Sequence, residues 1–426
     1  MIGFGTPKRR FARLKQTLFG GRRPVRLCFT INNTVRLFKS GVEFFPALIE
    51  RIDAAQHDVS LETYIFCDDA AGHAISTALM NAARRGVHVR VITDGIGTAK
   101  LPLFDEWAQA NVEHRVYNPH LFGQLGFSRT HRKLVVIDRH IAFCGGINIV
   151  DDFEQNGVHL DHARWDFALE AQGPVVKDVR EAFDLQWQRI RLGVKPLAPR
   201  PQDQEPTPGA SSRTNRRALR ARLRARRGLI HAVDQACVAF VARDNLLNRR
   251  AIEKAYLAAI SHAKKEVMLA NPYFMPGRKL RRALARAAQR GVRVTLVIGR
   301  KEFVALDYAT PFLYRNLLKY GVRIAEYEKT ILHGKVAVVD SNWATVGSSN
   351  LDALSLVLNN EANMVLVNHE NEIVKLRDAI LAAFHDGRPI TVEQYAARPA
   401  GERLLNWLAY NTYRTMMKML TIGRYD

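Results

Sequence analysis

Two stretches of the chain carry the same chemical pattern. His131 to Asn148 reads HRKLVVIDRHIAFCGGIN, and His333 to Asn350 reads HGKVAVVDSNWATVGSSN. Each holds a histidine, a lysine two positions on, an aspartate five after the lysine, and a small-residue turn closing on asparagine. One such spacing is a weak signal; two copies in register are not an accident. Alternate side chains of a strand share a face, so His131 projects with Lys133 and His333 with Lys335. Two such strands meeting at a pseudo-twofold interface would put two imidazoles and two ammonium groups in one pocket. That set suits a phosphate diester. The lysines neutralise the non-bridging oxygens and the charge that builds up in the transition state. One imidazole can attack phosphorus, and the other can protonate the leaving oxygen and then deprotonate the incoming hydroxyl. No metal and no cofactor is called for.

The candidate catalytic set is therefore His131, Lys133, Asp138, His333, Lys335 and Asp340. The two aspartates stand at odd separation from the histidines. They should face the other way and make structural hydrogen bonds near the strand ends. Gly145, Gly146, Gly347, Ser348 and Ser349 let backbone N–H groups approach phosphate oxygens. Asn148, Asn350 and Ser348 are candidate phosphate ligands. A reacting imidazole needs a carboxylate on its other nitrogen, and Asp166 and Glu361 lie at matching positions downstream of the two motifs. His140, His159 and His162 have no internal counterpart and read as surface or local-network residues.

The elements around the motifs repeat as well. AARRGVHVRVI at 82–92 matches AAQRGVRVTLV at 287–297, and DVSLETYIF at 58–66 matches EVMLANPYF at 266–274. Gly86 and Gly291 are 205 residues apart, and His131 and His333 are 202 apart. A nearly constant offset means tandem duplication of a whole α/β domain. Helices are expected at Gly41–Gln56, Ala71–Arg85 and Val175–Leu192, and strands at His57–Phe66, Val87–Asp94, Val112–Tyr117, Lys133–Asp138 and Ile141–Cys144. The pattern predicts mixed, largely parallel sheets flanked by helices, the two domains related by a pseudo-twofold. The expected divisions are a basic segment at 1–33, a first domain at 34–194, a Pro- and Arg-rich linker at 195–234, a second domain at 235–392, and an amphipathic tail at 393–426.

The chain has 426 residues and a net charge of +22, which points to polyanionic partners: nucleic acid, an anionic membrane face or phosphate-bearing substrates. Cys28, Cys67, Cys144 and Cys237 show no C-x-x-C and read as buried apolar residues of a reducing compartment. No apolar run approaches the ~20 residues of a spanning helix, and no signal peptide is expected. Basic and apolar residues alternate over 1–23, as a disordered tail or as an interfacial amphipathic helix. Eight arginines fall within 213–227, a solvated segment or a grip on an anionic surface. The tail Arg403–Leu420 is a helix packed on the second domain or docked on a membrane.

The doubled H-x-K-x4-D with G-G-x-N and G-S-S-N is identified as the signature of the phospholipase D superfamily. The run from His333 to Asn363, together with LETYIF and ANPYFMPG, resembles the bacterial cardiolipin synthases, and those of the cardiolipin synthase B kind most. The resemblance covers about residues 30–390. It implies two domains with one shared site, and transfer of a phosphatidyl group between two phosphatidylglycerols with release of glycerol. It implies a nucleophile at His131 and acid/base duty at His333; the near-symmetry of the residues leaves that order open. It also implies a peripheral place on the cytoplasmic face of the bacterial inner membrane, with phosphatidylglycerol and an anionic membrane surface as partners and no nucleic acid. A protein partner is not indicated either way. The competing readings are a hydrolase or nuclease of the same superfamily and a non-catalytic basic binding protein.

Overall fold

The computed structural model describes residues 27–120, 128–155, 157–192, 235–243, 250–300, 302, 304–352, 355–356 and 359–420. The basic segment 1–23 and the Pro- and Arg-rich runs between 195 and 227 lie outside them. Each half builds one sheet. The first has the strand order Thr34–Lys39, Phe167–Gln172, Ile141–Gly145, Leu134–Ile137, Asp58–Thr63, His88–Asp94, Glu113–Tyr117. The second repeats that order with Cys237–Arg243, Glu361–Val367, Trp343–Gly347, Lys335–Val339, Glu266–Asn271, Arg293–Gly299, Arg323–Tyr327. It adds Thr30–Ile31 at one edge and Arg388–Ile390 at the other. The expected duplication of an α/β unit is thus present in the strand order.

The expectation of largely parallel sheets is corrected. Parallel pairing joins only Asp58–Thr63, His88–Asp94 and Glu113–Tyr117, and their three counterparts in the second half. The other pairings are antiparallel. Connections decide this. The helices Ala70–Arg84 and Leu103–Gln109 carry the chain back for parallel entry, while tight turns such as Asp138–Arg139 reverse it. The short helix Leu103–Gln109 was not foreseen.

Side-chain alternation sets the layers. Leu134 and Val136 point into a core shared by both halves, which also takes Val336, Val338 and Met364. Val135 and Ile137 point outward to the helices Ser40–Asp53 and Ala70–Arg84. Ala337 and Val339 do the same in the second half. The helices Val175–Leu192 and Glu370–Asp386 contribute Val176, Val179, Leu376 and Ile380 to the shared core. The two sheets are therefore one folded body.

Two short bridges cross between the halves, Thr130 with Asn360 and Trp165 with Leu332, both parallel. His131 donates its backbone N–H to Asn360 O at 2.9 Å, and Asn360 donates to Arg129 O at 2.8 Å. Reciprocally, Trp165 donates to Ile331 O at 2.9 Å, and His333 donates to Trp165 O at 3.0 Å. The residue before each histidine thus lies beside the residue before each downstream carboxylate.

The motif aspartates are turn-builders. Asp138 has φ +48° and Asp340 φ +51°, both in the left-handed region. The Asp138 carboxylate accepts from the backbone N–H groups of Gln56, His57 and Asp58 at 2.9, 2.7 and 3.0 Å. Asp340 accepts from Lys264, Lys265 and Glu266 at 3.0, 2.7 and 3.0 Å. Burial raises each carboxyl, and the three N–H groups outweigh it and hold both below the usual carboxylate range. Their place in the catalytic set is corrected: they fasten the far end of the motif strand to the neighbouring strand. Cys144 and Cys237 are buried as expected, whereas Cys67 is half-buried and Cys28 exposed, and all four are free thiols.

Replacing Asp138 by Ala orphans three backbone donors. Chemical denaturation is expected to show a loss of about 2–3 kcal/mol. Well below the melting temperature, kcat should match the parent. A normal melting curve with lost turnover would return Asp138 to the chemistry.

Candidate active site

The cross-half bridges seat each histidine against a carboxylate of the other half. His131 Nδ1 lies 3.0 Å from Glu361 Oε2 and 2.9 Å from Ser348 O. His333 Nδ1 lies 2.6 Å from Asp166 Oδ2. A carboxylate and a carbonyl only accept, so Nδ1 carries the hydrogen in both rings and Nε2 holds a lone pair. Asp166 and Glu361 are thus brought to the histidines as the spacing suggested, but each serves the opposite half.

The lysines complete the cluster. Lys133 Nζ donates to His131 O at 2.8 Å, and Lys335 Nζ donates to His333 O. Both ammonium groups are buried. Burial first, then Lys335, brings Lys133 down to about 7. Burial lowers Lys335, against Asp166, which raises it. Burial lowers His131, opposed by Glu361, with both lysines pushing the same way as burial. Burial and then Lys335 take His333 down to about 3, while Asp166 pulls upward. Burial raises Asp166, and Lys335 with His333 overcomes it and keeps the carboxylate below its ordinary range. Groups from both halves thus share one electrostatic neighbourhood. Burial works against the charge on both lysines, with Asp166 and Glu361 opposing it, and keeps both imidazoles neutral.

A cleft of about 580 Å³ reaches this cluster at Asp166 and His333. Its wall joins Asn148 and Asp166 from the first half to Glu302 and His333 from the second. The ring of Tyr64 lies over His131, 4.9 Å between centroids, with Lys133 Nζ 5.3 Å from the same ring. Asn148 accepts from Ile65 N–H at 3.2 Å through Oδ1, which turns its amide donors away from that contact. Asn350 donates to Tyr273 Oη at 2.7 Å. Asn350 Oδ1 is buried with no hydrogen-bond partner among the described residues.

Two expectations about the small-residue turn are corrected. Ser348 is not free for phosphate: its hydroxyl donates to Glu361 Oε2 at 2.5 Å and accepts from Ala362 N–H at 3.0 Å. Two of the turn N–H groups are also engaged. Gly146 donates to Phe167 O at 2.8 Å and Ser348 to Ala362 O at 2.9 Å. The glycines make room instead. A Cβ on Gly146 would stand 2.2 Å from Asp166 Oδ1, so glycine lets the carboxylate strand close in.

Two residues were missed. Glu62 is buried and grips Arg132 through Nε and Nη2 at 3.0 and 2.7 Å, and it accepts from the Thr130 hydroxyl, fixing the segment that delivers His131. Glu302 lies 3.7 Å from His333 Nε2. At the strand offset of 205 it falls opposite Gly97, so comparing the halves for matches passes over it. His140, His159 and His162 are exposed, as expected. Among the described residues no group of three or more His, Cys, Asp or Glu is arranged to hold a metal ion.

A model of the "Cardiolipin synthase, PLD-like domain" family matches residues 48–162 and 256–383. Cardiolipin synthase B of Escherichia coli K12 is 39% identical over 341 residues, 78% of this chain and 76% of that one. A cardiolipin synthase of Geobacillus thermodenitrificans is 31% identical over 392 residues, 90% of this chain and 72% of the relative. Among solved structures, phosphatidylserine synthase of Haemophilus influenzae superposes with a TM-score of 0.61 at 14% identity, covering 96% of this chain and 99% of that one. A polyphosphate kinase of Porphyromonas gingivalis gives 0.53 at 13% identity, covering 91% of this chain and 53% of that one. These last two likenesses concern the fold alone.

Burial and Lys335 bring the Lys133 ammonium down to about 7. Because a lowered lysine pKa removes the charge as pH rises, kcat/KM, which reports free-enzyme groups, should fall on the alkaline side from about pH 7. In K133R, whose guanidinium stays charged, the rate should drop and that limb should vanish. An unmoved limb in K133R would contradict the account.

Proposed function

The chain belongs to the family of phospholipase D-like cardiolipin synthases, and on that premise we propose that it joins two phosphatidylglycerols through a phosphohistidine on His131. The observation that carries this is the reciprocal pairing of His131 with Glu361 and His333 with Asp166 around two buried lysines. It supplies two neutral imidazoles with free Nε2 and a cationic seat for one diester.

The diester oxygens settle against Lys133 and Lys335. Their negative charge raises the pKa of the neighbouring imidazoles and favours a proton on His333. His131 Nε2 attacks phosphorus, the bond from phosphorus to the glycerol oxygen breaks, and His333 gives that oxygen its proton. Glycerol leaves. A hydroxyl of a second phosphatidylglycerol gives its proton to His333 and attacks phosphorus, and the bond from phosphorus to His131 breaks. Glu361 and Asp166 hold each ring and stabilise the imidazolium forms.

The substrates are lipids, and the chain has a surface to meet them. One face of the helix Ala400–Leu420 buries Tyr410, Tyr413 and Met417 against Met275, Ala309 and Leu313. The rest of it exposes Leu404, Leu405, Trp407, Leu408, Met416 and Met419. Arg403 and Lys418 are exposed on the same helix, which suits an interface with anionic headgroups. No described helix is long and apolar enough to cross a membrane. We place the chain as a peripheral enzyme on the cytoplasmic face of the inner membrane, held there in part by this helix.

Purified protein on vesicles of labelled phosphatidylglycerol is expected to yield cardiolipin and glycerol. H131A and H333A should each lose roughly 10³-fold or more in rate while keeping the parent's circular dichroism. Phosphatidic acid as the main product would mean that water is the acceptor. Cosedimentation with the same vesicles tests the helix: L405E/L408E should weaken binding by about tenfold or more, and unchanged binding would remove the helix from the interface.

A further inference from the structure

The two-fold likeness of the halves breaks at one place in the cleft. Where the second half has Glu302 the first half has Gly97, at which a Cβ would stand 2.5 Å from the Tyr64 ring, and that ring covers the His131 imidazole. Opposite His333 the second half has Glu302. Its Oε1 lies 3.7 Å from Nε2, the nitrogen that Asp166 leaves free. Its Oε2 is buried with no hydrogen-bond partner among the described residues.

Those distances describe a seat. At 3.7 Å the carboxyl and the imidazole are too far apart to bond directly. An oxygen lying to one side reaches both at about 2.8 Å. A buried carboxyl oxygen without a donor marks a missing ligand. Phosphate oxygens only accept hydrogen bonds, so they belong with the lysines. The group that suits Glu302 brings hydrogens of its own.

Building on the synthase reading, we infer that Glu302 receives the polyol end of the lipid, its two carboxyl oxygens reading two adjacent hydroxyl positions. The reacting alcohol oxygen sits between His333 Nε2 and the carboxyl O–H at Glu302 Oε1, which donates to it, and the neighbouring hydroxyl donates to Oε2. The same arrangement serves both steps. In the first, the glycerol oxygen leaving phosphorus takes its proton from His333 while the adjacent hydroxyl holds the carboxyl. In the second, a terminal hydroxyl of the acceptor's glycerol gives its proton to His333 from the same seat. Asn148, Asp152, Gln155 and Arg164 on the cleft wall supply further polar partners.

An ammonium headgroup is the rival occupant of a carboxyl-rich cleft. Burial lifts Glu302 to about 7, so near neutrality it carries a proton for much of the time, and it lifts Asp152 to about 6, still mostly ionised there. A wall that both donates and accepts matches hydroxyls better than a fixed cation. The asymmetry also separates the histidines. A carboxylate beside the attacking nitrogen would repel the diester, and His131 has Tyr64 there instead. His333, which exchanges a proton with the alcohol oxygen, has Glu302.

The test uses the full chain on phosphatidylglycerol vesicles with isotope-labelled alcohols added as competing acceptors, read as label entering lipid, because transfer to glycerol regenerates the donor. Wild-type protein should transfer to glycerol at least about tenfold faster than to 1,3-propanediol, which lacks adjacent hydroxyls, a margin within reach of one lost hydrogen bond. E302A should erase that preference, E302Q should keep part of it, and both should lose more transfer than hydrolysis. Thermal melting of E302Q checks the fold. An unchanged preference for glycerol in E302A overturns the inference, as does a wild-type preference for ethanolamine over glycerol. Wild-type protein that forms no cardiolipin from phosphatidylglycerol defeats the synthase reading itself, a result distinct from either.

Discussion

Each imidazole in this molecule is finished by a carboxylate from the other half. Glu361 holds Nδ1 of His131, and Asp166 holds Nδ1 of His333. The backbone enforces the exchange, because Thr130 runs beside Asn360 and Leu332 beside Trp165. Neither half alone has an oriented histidine. The duplication is therefore a condition of the chemistry, and the core that Val136, Val338 and Met364 share between the sheets is what keeps the two halves in register.

Burial makes this contact consequential. Lys133, Lys335, Asp166 and Glu361 are all withdrawn from water, and removing one member of such a group leaves the others uncompensated. Burial first, and then Lys335, bring Lys133 down to about 7 and His333 to about 3. On the proposed reading a diester adds negative charge beside both lysines, and cations already held in place against burial are what a preorganised electrostatic site offers it.

Much of this was legible in the residues. The repeated H-x-K-x4-D, the offset of the halves and the acids at 166 and 361 brought the six central groups together on paper. The odd spacing of Asp138 and Asp340 already spoke for a structural task, and the three N–H groups on each show it. What stayed hidden depended on packing. Spacing cannot say that a carboxylate crosses to the opposite half. It cannot say that Ser348 is used up on Glu361, or that Gly146 is small so that Asp166 can approach. Apolar strands buried on both faces look parallel whichever way they pair. Glu302 escaped because a duplication directs attention to what matches, and this residue matters where the halves differ.

The central claim is that both histidines serve one phosphorus. Vanadate, which adopts the trigonal-bipyramidal shape of phosphoryl transfer, tests it in a crystal of the full chain. The account predicts a single vanadium bonded to Nε2 of His131, with the opposite apical oxygen within hydrogen-bond distance of Nε2 of His333 and the equatorial oxygens on Lys133 and Lys335. Two vanadates in separate places, or one that touches the groups of a single half, would contradict it.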